Sequence, residues 1–219
     1  CERIEIVQAA HPVPDTAGRK AASRILAMAQ DLGPQDMCLA LISGGASALL
    51  IQPAKGISLE DKQEVNQLLL RSGANITEIN TVRKHLSAVK GGHLARAVRP
   101  AQLVTLMISD VPGDDPGVIG SGPTVPDPTT FADARAVVDK YGIDLSASVR
   151  DHLNRGAEET PNTDDPVFKG AEQWMIARPQ NSLDAAAIMA RDAEIEVIAL
   201  GDRLEGEARD VALEHAAMA

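Results

Sequence analysis

Apolar positions recur along the chain in two rhythms, continuous runs of six or seven residues and stripes at helical spacing. Met37 to Ile42 and Gln102 to Ile108 are the runs, the pattern expected of strands buried on both faces of a parallel sheet. Stripes at i, i+3, i+4, i+7 put one apolar face on a helix. Ala22, Ile25, Leu26 and Ala29 make such a face in a helix that Asp15 or Thr16 can cap and Gly33-Pro34 stops. Ser58 opens a second helix, through about Arg71, whose buried edge is Val65, Leu68 and Leu69. Asn75 to Glu78 forms a capping box before the segment Ile79 to Leu86. Thr130 caps a helix with Phe131, Ala134, Val137, Val138 and Tyr141 on one side, and a shorter helix is expected near Ala147 to Asn154. Ser182 is the expected cap of an Ala-rich helix buried through Leu183, Ala186, Ala187 and Ala190. Shorter β-like stretches, Arg3 to Ala10, Met175 to Ala177 and Glu194 to Leu200, complete the pattern.

Strands therefore alternate with helices at least five times. The expected fold class is α/β, a three-layer α/β/α domain on a largely parallel sheet, Rossmann-like in its layering. In such sheets ligands bind beyond the carboxyl ends of the strands. The loops after Ile42, after Ile108 and near Gly201 are all expected at that edge.

Composition narrows the chemistry. The 219 residues are 44% apolar and only 2% aromatic, so the core must be built from Ala, Val, Ile and Leu. No run approaches a membrane span. Two cysteines, Cys1 and Cys38, make no disulfide framework or metal spacing, which favours a reducing, cytoplasmic setting. A net charge of −10 argues against nucleic-acid or anionic-membrane partners. The charge is uneven, however. Between Glu78 and Asp110 no acidic residue occurs, while Arg83, Lys84, Lys90, Arg96 and Arg99 do. Such a segment is either a pocket for a small anion or a solvated basic face, and composition leaves the two even.

Three stretches carry candidate chemistry. After the first buried run the chain reads Ser43-Gly44-Gly45-Ala46-Ser47, where glycines before a helical stretch let backbone amides gather round an anion. Neither GxGxxG nor GxxxxGK[ST] is present, so neither a dinucleotide fingerprint nor a Walker loop is supported. Asn80, Arg83, Lys84 and Ser87 share one helical face, polar and cationic where a structural helix would carry Leu or Ala, with Lys90 a short step on. Ser109 to Asp127 follows the second run and holds four Gly, four Pro and four Asp. Its turns and fixed φ angles suit an ordered loop, and its carboxylates suit a hard cation or the loop's own amides.

Taken together, AAHPVPD, LISGGASALL, NTVRKHLSAVKGGHLA, SDVPGDDPGVIGSGPTVPD and LGDRLEGEAR resemble, in this order, the glycerate 2-kinase family with a C-terminal MOFRL domain. Members of that family are often labelled hydroxypyruvate reductase. The resemblance spans nearly the whole chain and implies ATP-dependent phosphorylation of D-glycerate to 2-phosphoglycerate with Mg²⁺. Hydroxypyruvate reduction is the alternative activity, and a ligand-binding fragment without catalysis is the third. In the family, a Gly-rich segment with a lysine thought to be catalytic precedes the AAHPVPD motif, and a whole domain follows LGDRLEGEAR. Residues 1–204 are thus expected to form a large nucleotide- and substrate-binding domain truncated at its N-terminus, and residues 205–219 a helix leading to a MOFRL-type domain.

The resemblance, joined to the chemistry of phosphoryl transfer, assigns expected roles. Ser43, Gly44, Gly45, Ala46 and Ser47 would cradle phosphates of ATP, with Asn80, Ser121, Gly122 and Thr124 completing the anion site. Arg83, Lys84 and Lys90 would neutralise charge on phosphate or on the glycerate carboxylate. Asp110, Asp114 and Asp115 would hold Mg²⁺, directly or through water. The expected partners are glycerate and a nucleotide, no nucleic acid and no membrane, and a homodimer is one assembly compatible with the chain.

Overall fold

A computed structural model describes residues 3–204 and 206–218. Cys1, and Glu205 of the LGDRLEGEAR segment, lie outside the described residues. The first element is α1 (Thr16–Gln30), whose N-terminal amide on Gly18 donates to the Asp15 carboxylate at 2.8 Å. Next come β1 (Met37–Ile42), the single-turn α2 (Ala46–Leu49), α3 (Leu59–Arg71), α4 (Ile76–His85) and α5 (His93–Val98). β2 (Gln102–Ile108) leads into the long loop, after which stand α6 (Phe131–Lys140) and α7 (Ala147–Arg155). β3 (Glu172–Ala177), α8 (Pro179–Asp192) and α9 (Ala208–Met218) follow. Capping boxes at Ser58, Asn75 and Thr130 start α3, α4 and α6 at the positions the sequence marks.

The sheet has three parallel strands in the order β1-β2-β3, with Leu39 opposite Val104 and Leu106 opposite Trp174. The α/β class and the parallel sheet are as expected. Two of the five expected strands are not. Arg3 to Ala10 and Glu194 to Leu200 alternate like strands but form no strand pairing among the described residues. Alternation makes a strand only where a partner edge supplies hydrogen bonds, and Ile4, Ile6, Ile195 and Ile198 all stay exposed. Gly201 therefore follows no strand. β3 begins three residues earlier than expected, because its polar start, Glu172-Gln173, is an exposed edge. α8 is capped from Arg178 and not from Ser182, and it has no buried residue, so Leu183 and Ala186 do not form a core stripe.

Two apolar clusters hold the chain together. One lies among α3, α4, α6 and α7 and includes Leu69, Val82, Leu86, Phe131, Ala134, Val149 and Leu153. The other lies under one face of the sheet, where Ala40, Ile42, Leu103 and Met107 meet Ala29, Leu94, Val98 and Ile119. The opposite face of the sheet carries Leu39, Leu41, Trp174 and Ile176, all at least half exposed. Of the three expected layers, the described residues thus build two. No helix among them is long and apolar enough to cross a membrane.

The two faces predict opposite mutational costs. Leu69→Ala, in the helical cluster, is expected to destabilise by about 2–5 kcal/mol. Trp174→Ser, on the bare face, is expected to change stability by less than about 0.5 kcal/mol. Urea unfolding of both variants separates them, and an equal cost would mean that the bare face is packed in solution.

Candidate active site

The segment 87–93 crosses from one apolar cluster to the other, from Leu86 to Leu94, and the candidate site forms where it does. Gly91 and Gly92 donate backbone hydrogen bonds to the carbonyls of Ser121 and Gly122 at 3.0 and 2.8 Å, docking this crossing onto the long loop. A Cβ on Gly92 would meet Phe168, Pro161 and the Val125 carbonyl at 2.9 Å, and its φ is +81°, so only glycine suits the crossing.

Lys90 is the centre of the crossing. Its ammonium, 2% exposed as a residue, donates to the carbonyls of Ser47 at 2.9 Å and Gly120 at 3.2 Å and to the Ser47 hydroxyl at 3.3 Å. All three of its protons are thus directed at acceptors, and it ties the turn after β1 to the loop after β2. Ser47 and Ser121 share a hydroxyl hydrogen bond of 2.6 Å, and Ser121 donates to Asn80 Oδ1 at 3.2 Å. Gly120, Ser121 and Gly122 all have positive φ, so the loop coils in the left-handed sense where these bonds form.

Beside this network lies a cavity of about 260 Å³. His11, Pro12 and Pro14 wall one side, Gly45 and Ser47 another, and Lys62, Arg83 and Lys90 supply its charge. Among the described residues no carboxylate lines it. Lys62, which the sequence did not single out, is 5% exposed and donates to the carbonyls of Arg83 and Leu86 at 3.2 and 3.0 Å. Asn66 Oδ1 accepts from Arg83 Nε at 2.6 Å and also from Nη2, which fixes the guanidinium plane. Burial, reinforced by Lys90 and Arg83, holds the Lys62 ammonium well below the ordinary lysine pKa. Burial and then Arg83 bring Lys90 down to about 7. Of the five cations in the acid-free segment, Arg83 and Lys90 line this cavity, whereas Arg96 and Arg99 are exposed.

Lys84 does not join it. Consecutive helical residues point about 100° apart, so with Arg83 on the cavity Lys84 turns to Asp127, its Nζ 3.3 Å from Oδ1. Asp127 is fully buried, also accepts from Thr129, and has an Oδ2 with no hydrogen-bond partner. Gly122 and Thr124 are buried behind the loop and Ser121 inside the network, so these three support the site without lining the cavity. Sequence reasoning missed Asp127 as well as Lys62; the charge-complement of a buried Lys84 was its available signal.

On the outer side of the turn, Ser43 and Gly44 are exposed. A Cβ on Gly44 would fall 2.2 Å from Asp110 Oδ2, so the carboxylate presses directly on the turn. The Ala46 amide is already engaged by the Ser43 carbonyl at 3.3 Å. The three aspartates do not converge. Among the described residues no group of three His, Cys, Asp or Glu side chains is arranged to hold a metal. Asp114 pairs with Arg178 at 3.6 Å and Asp115 accepts from the Gly117 amide at 2.8 Å, because the left-handed turns at Gly113 and Asp114 send the carboxylates apart. Mg²⁺ needs fewer protein ligands than that, commonly one or two carboxylates with waters and phosphate oxygens. Asp110 beside the glycine turn, and the buried Asp114 Oδ1 that lacks a partner, fit that smaller set.

Residues 1–154 match the family model described as a domain of unknown function, DUF4147. A protein of Agrobacterium vitis provisionally named hydroxypyruvate reductase is 57% identical over 209 residues, covering 95% of this chain and 47% of that protein. A glycerate 2-kinase of Pyrococcus horikoshii is 43% identical over 218 residues, covering 97% and 49%. The crystal structure of glycerate kinase from Thermotoga maritima superposes with a TM-score of 0.79 at 43% identity, covering 88% of this chain and 45% of that one. The chain spans about half the length of the curated relatives it matches. It belongs to the DUF4147 family.

Two outcomes test the geometry. Gly44→Ala is expected to displace Asp110 or the turn and to weaken anion binding at least about 10-fold, read by calorimetric titration. Lys90 binds its proton less tightly when folded, about 7 against 10.5 for an ordinary lysine. The unfolded chain therefore carries more protons between those values, and the stability of the ligand-free chain rises with pH across that window. Lys90→Met is expected to flatten the rise in a series of denaturation curves.

Proposed function

We propose that this DUF4147 chain is the nucleotide- and substrate-binding part of a glycerate 2-kinase, transferring the γ-phosphoryl group of ATP to the 2-hydroxyl of D-glycerate with Mg²⁺ in the cytoplasm. The observation that carries the proposal is the adjacency of two unlike half-sites: a cavity with three cations and no carboxylate, and a glycine turn touched by Asp110, with Gly45 and Ser47 between them. Kinase names on relatives that align along most of the chain support it.

Phosphoryl transfer asks a protein for positioning and charge neutralisation more than for covalent work. The turn Ser43 to Gly45 offers backbone amides at the carboxyl end of β1, where phosphate oxygens would lie, and the Ala46 amide closes the turn on the Ser43 carbonyl. Asn80, Ser121 and Ser47, joined by hydrogen bonds and tied by Lys90, hold that turn in place. Arg83 and the buried ammonium groups supply positive charge for a bound anion. Asp110, with Asp114, would hold Mg²⁺, and the ion would neutralise phosphate oxygens as charge moves to the leaving group. Lys84 and Asp127 brace the loop from behind as a buried ion pair.

The reductase name on two relatives has no counterpart in the turn, which reads SGGAS without a dinucleotide fingerprint. Assays of the full-length protein decide between the two activities. Incubation with D-glycerate, ATP and Mg²⁺ is expected to yield 2-phosphoglycerate, identified by ³¹P NMR. NADH oxidation with hydroxypyruvate and no requirement for ATP would overturn the kinase.

A further inference from the structure

We propose that the cavity between α3, α4 and residues 11–14 is the seat of the carboxylate of a small 2-hydroxy acid, with Lys62 and Arg83 as its binding residues, while the metal-bound nucleotide stays outside it. The assignment deepens the kinase function proposed above and rests on it for the identity of the acid.

Three observations separate the two reactants. The first is electrostatic. Lys62, Arg83 and Lys90 converge on one cavity, and the only other titratable group in its lining is His11. Lone buried charges are expensive, and proteins normally pair them. Among the described residues no carboxylate does so, and an incoming carboxylate would supply an opposite charge.

The second observation is chemical. A nucleotide brings Mg²⁺, a hard cation that takes oxygen ligands, carboxylates among them. Among the described residues the lining offers His, Lys, Arg, Gln and Asn side chains and no Asp or Glu, whereas the Asp110 carboxylate lies against the outer side of the glycine turn. Arg83, joined by Lys62 and Lys90 when they are protonated, repels the metal that the nucleotide needs. A bare acid meets no such cost.

The third is geometric. About 260 Å³ is below the range of pockets that take drug-sized ligands and suits a few-carbon acid. Asn66 holds Arg83 by Nε and Nη2, and no described residue accepts from Nη1. Lys62 spends two of its three protons on carbonyls. Each therefore keeps donor capacity for a carboxylate, whereas the Lys90 protons are all engaged on Ser47 and Gly120. Ser47 and Gly45 form the wall between cavity and turn, so an acid held by its carboxylate would direct its hydroxyl end toward the phosphate side. Because burial holds Lys62 below its ordinary pKa, a bound carboxylate would restore it and draw protons from solution.

The test titrates the 219-residue chain with D-glycerate without nucleotide, by calorimetry at alkaline pH in two buffers of different ionisation enthalpy, and repeats it with Mg-ATP. The wild type is expected to bind the acid with net proton uptake. Lys62→Met, which removes a desolvated charge and keeps the stem, is expected to weaken the acid at least about 10-fold, to lessen the proton uptake and to change Mg-ATP affinity less than about 3-fold. Arg83→Gln is a second variant with the same expected selectivity, and thermal melts confirm that each folds. No acid binding by the wild type, unchanged acid affinity in both folded variants, or equal weakening of Mg-ATP would each overturn the proposal. An unchanged KM for glycerate in an active full-length Lys62→Met enzyme would overturn the seat and leave the kinase standing. Selective loss of acid binding, with no ATP-dependent turnover by the full-length wild type, would leave the seat and overturn the kinase.

Discussion

The Lys90 ammonium lies buried against the carbonyls of Ser47 and Gly120, and through it the loop after one strand is fastened to the loop after the next. A carbonyl oxygen carries only a partial charge, so these bonds satisfy the protons without cancelling the charge. The result is a buried donor that holds two loops and gives up its proton more easily than an ordinary lysine, with a pKa of about 7. Around it the other groups fall into order. Ser121, in a left-handed conformation, brings its hydroxyl to Ser47 and Asn80, and Gly91 and Gly92 bring the backbone close enough for the crossing to dock.

Two apolar clusters make that arrangement stable. The helical cluster carries Lys62, Arg83 and Asn80 on the rims of α3 and α4, and the sheet cluster carries the glycine turn and the long loop. Neither cluster contains the cavity. It sits on the seam, where polar groups can be buried with hydrogen-bond partners yet remain within reach of a ligand. The acidic surface of the molecule, at a net charge of −10, contrasts with this small cationic interior. Long-range potential does not favour anions, so selectivity falls to the contacts inside the cavity.

Much of this was legible in the sequence because it depends on local chemistry. Capping residues fix helix starts through a single turn of backbone, so Ser58, Asn75 and Thr130 could be read directly. β1 and β2 are continuous apolar runs whose pairing partners lie beside them. Residues 4–10 and 195–200 show the limit, since a strand needs a neighbour that periodicity cannot supply. The site divides in the same way. Asn80 and Arg83 follow from one helical face, whereas Ser87 lies beyond the end of α4, and of the cations in the acid-free gap Arg83 and Lys90 reach the cavity. Lys62 was hidden in a polar helix, because its burial depends on the approach of the Arg83 to Leu86 turn from α4. Lys84 shares a charge and a helix with Arg83, but its ammonium turns to the buried Asp127 and not to the cavity.

The contact between Gly44 and Asp110 joins two positions 66 residues apart in the chain. A side chain at position 44 and the Asp110 carboxylate as it stands claim the same space. Asp110 is exposed, so a methyl at position 44 would turn the carboxylate away from the turn, and the coupling between the two positions lies in where that charge points.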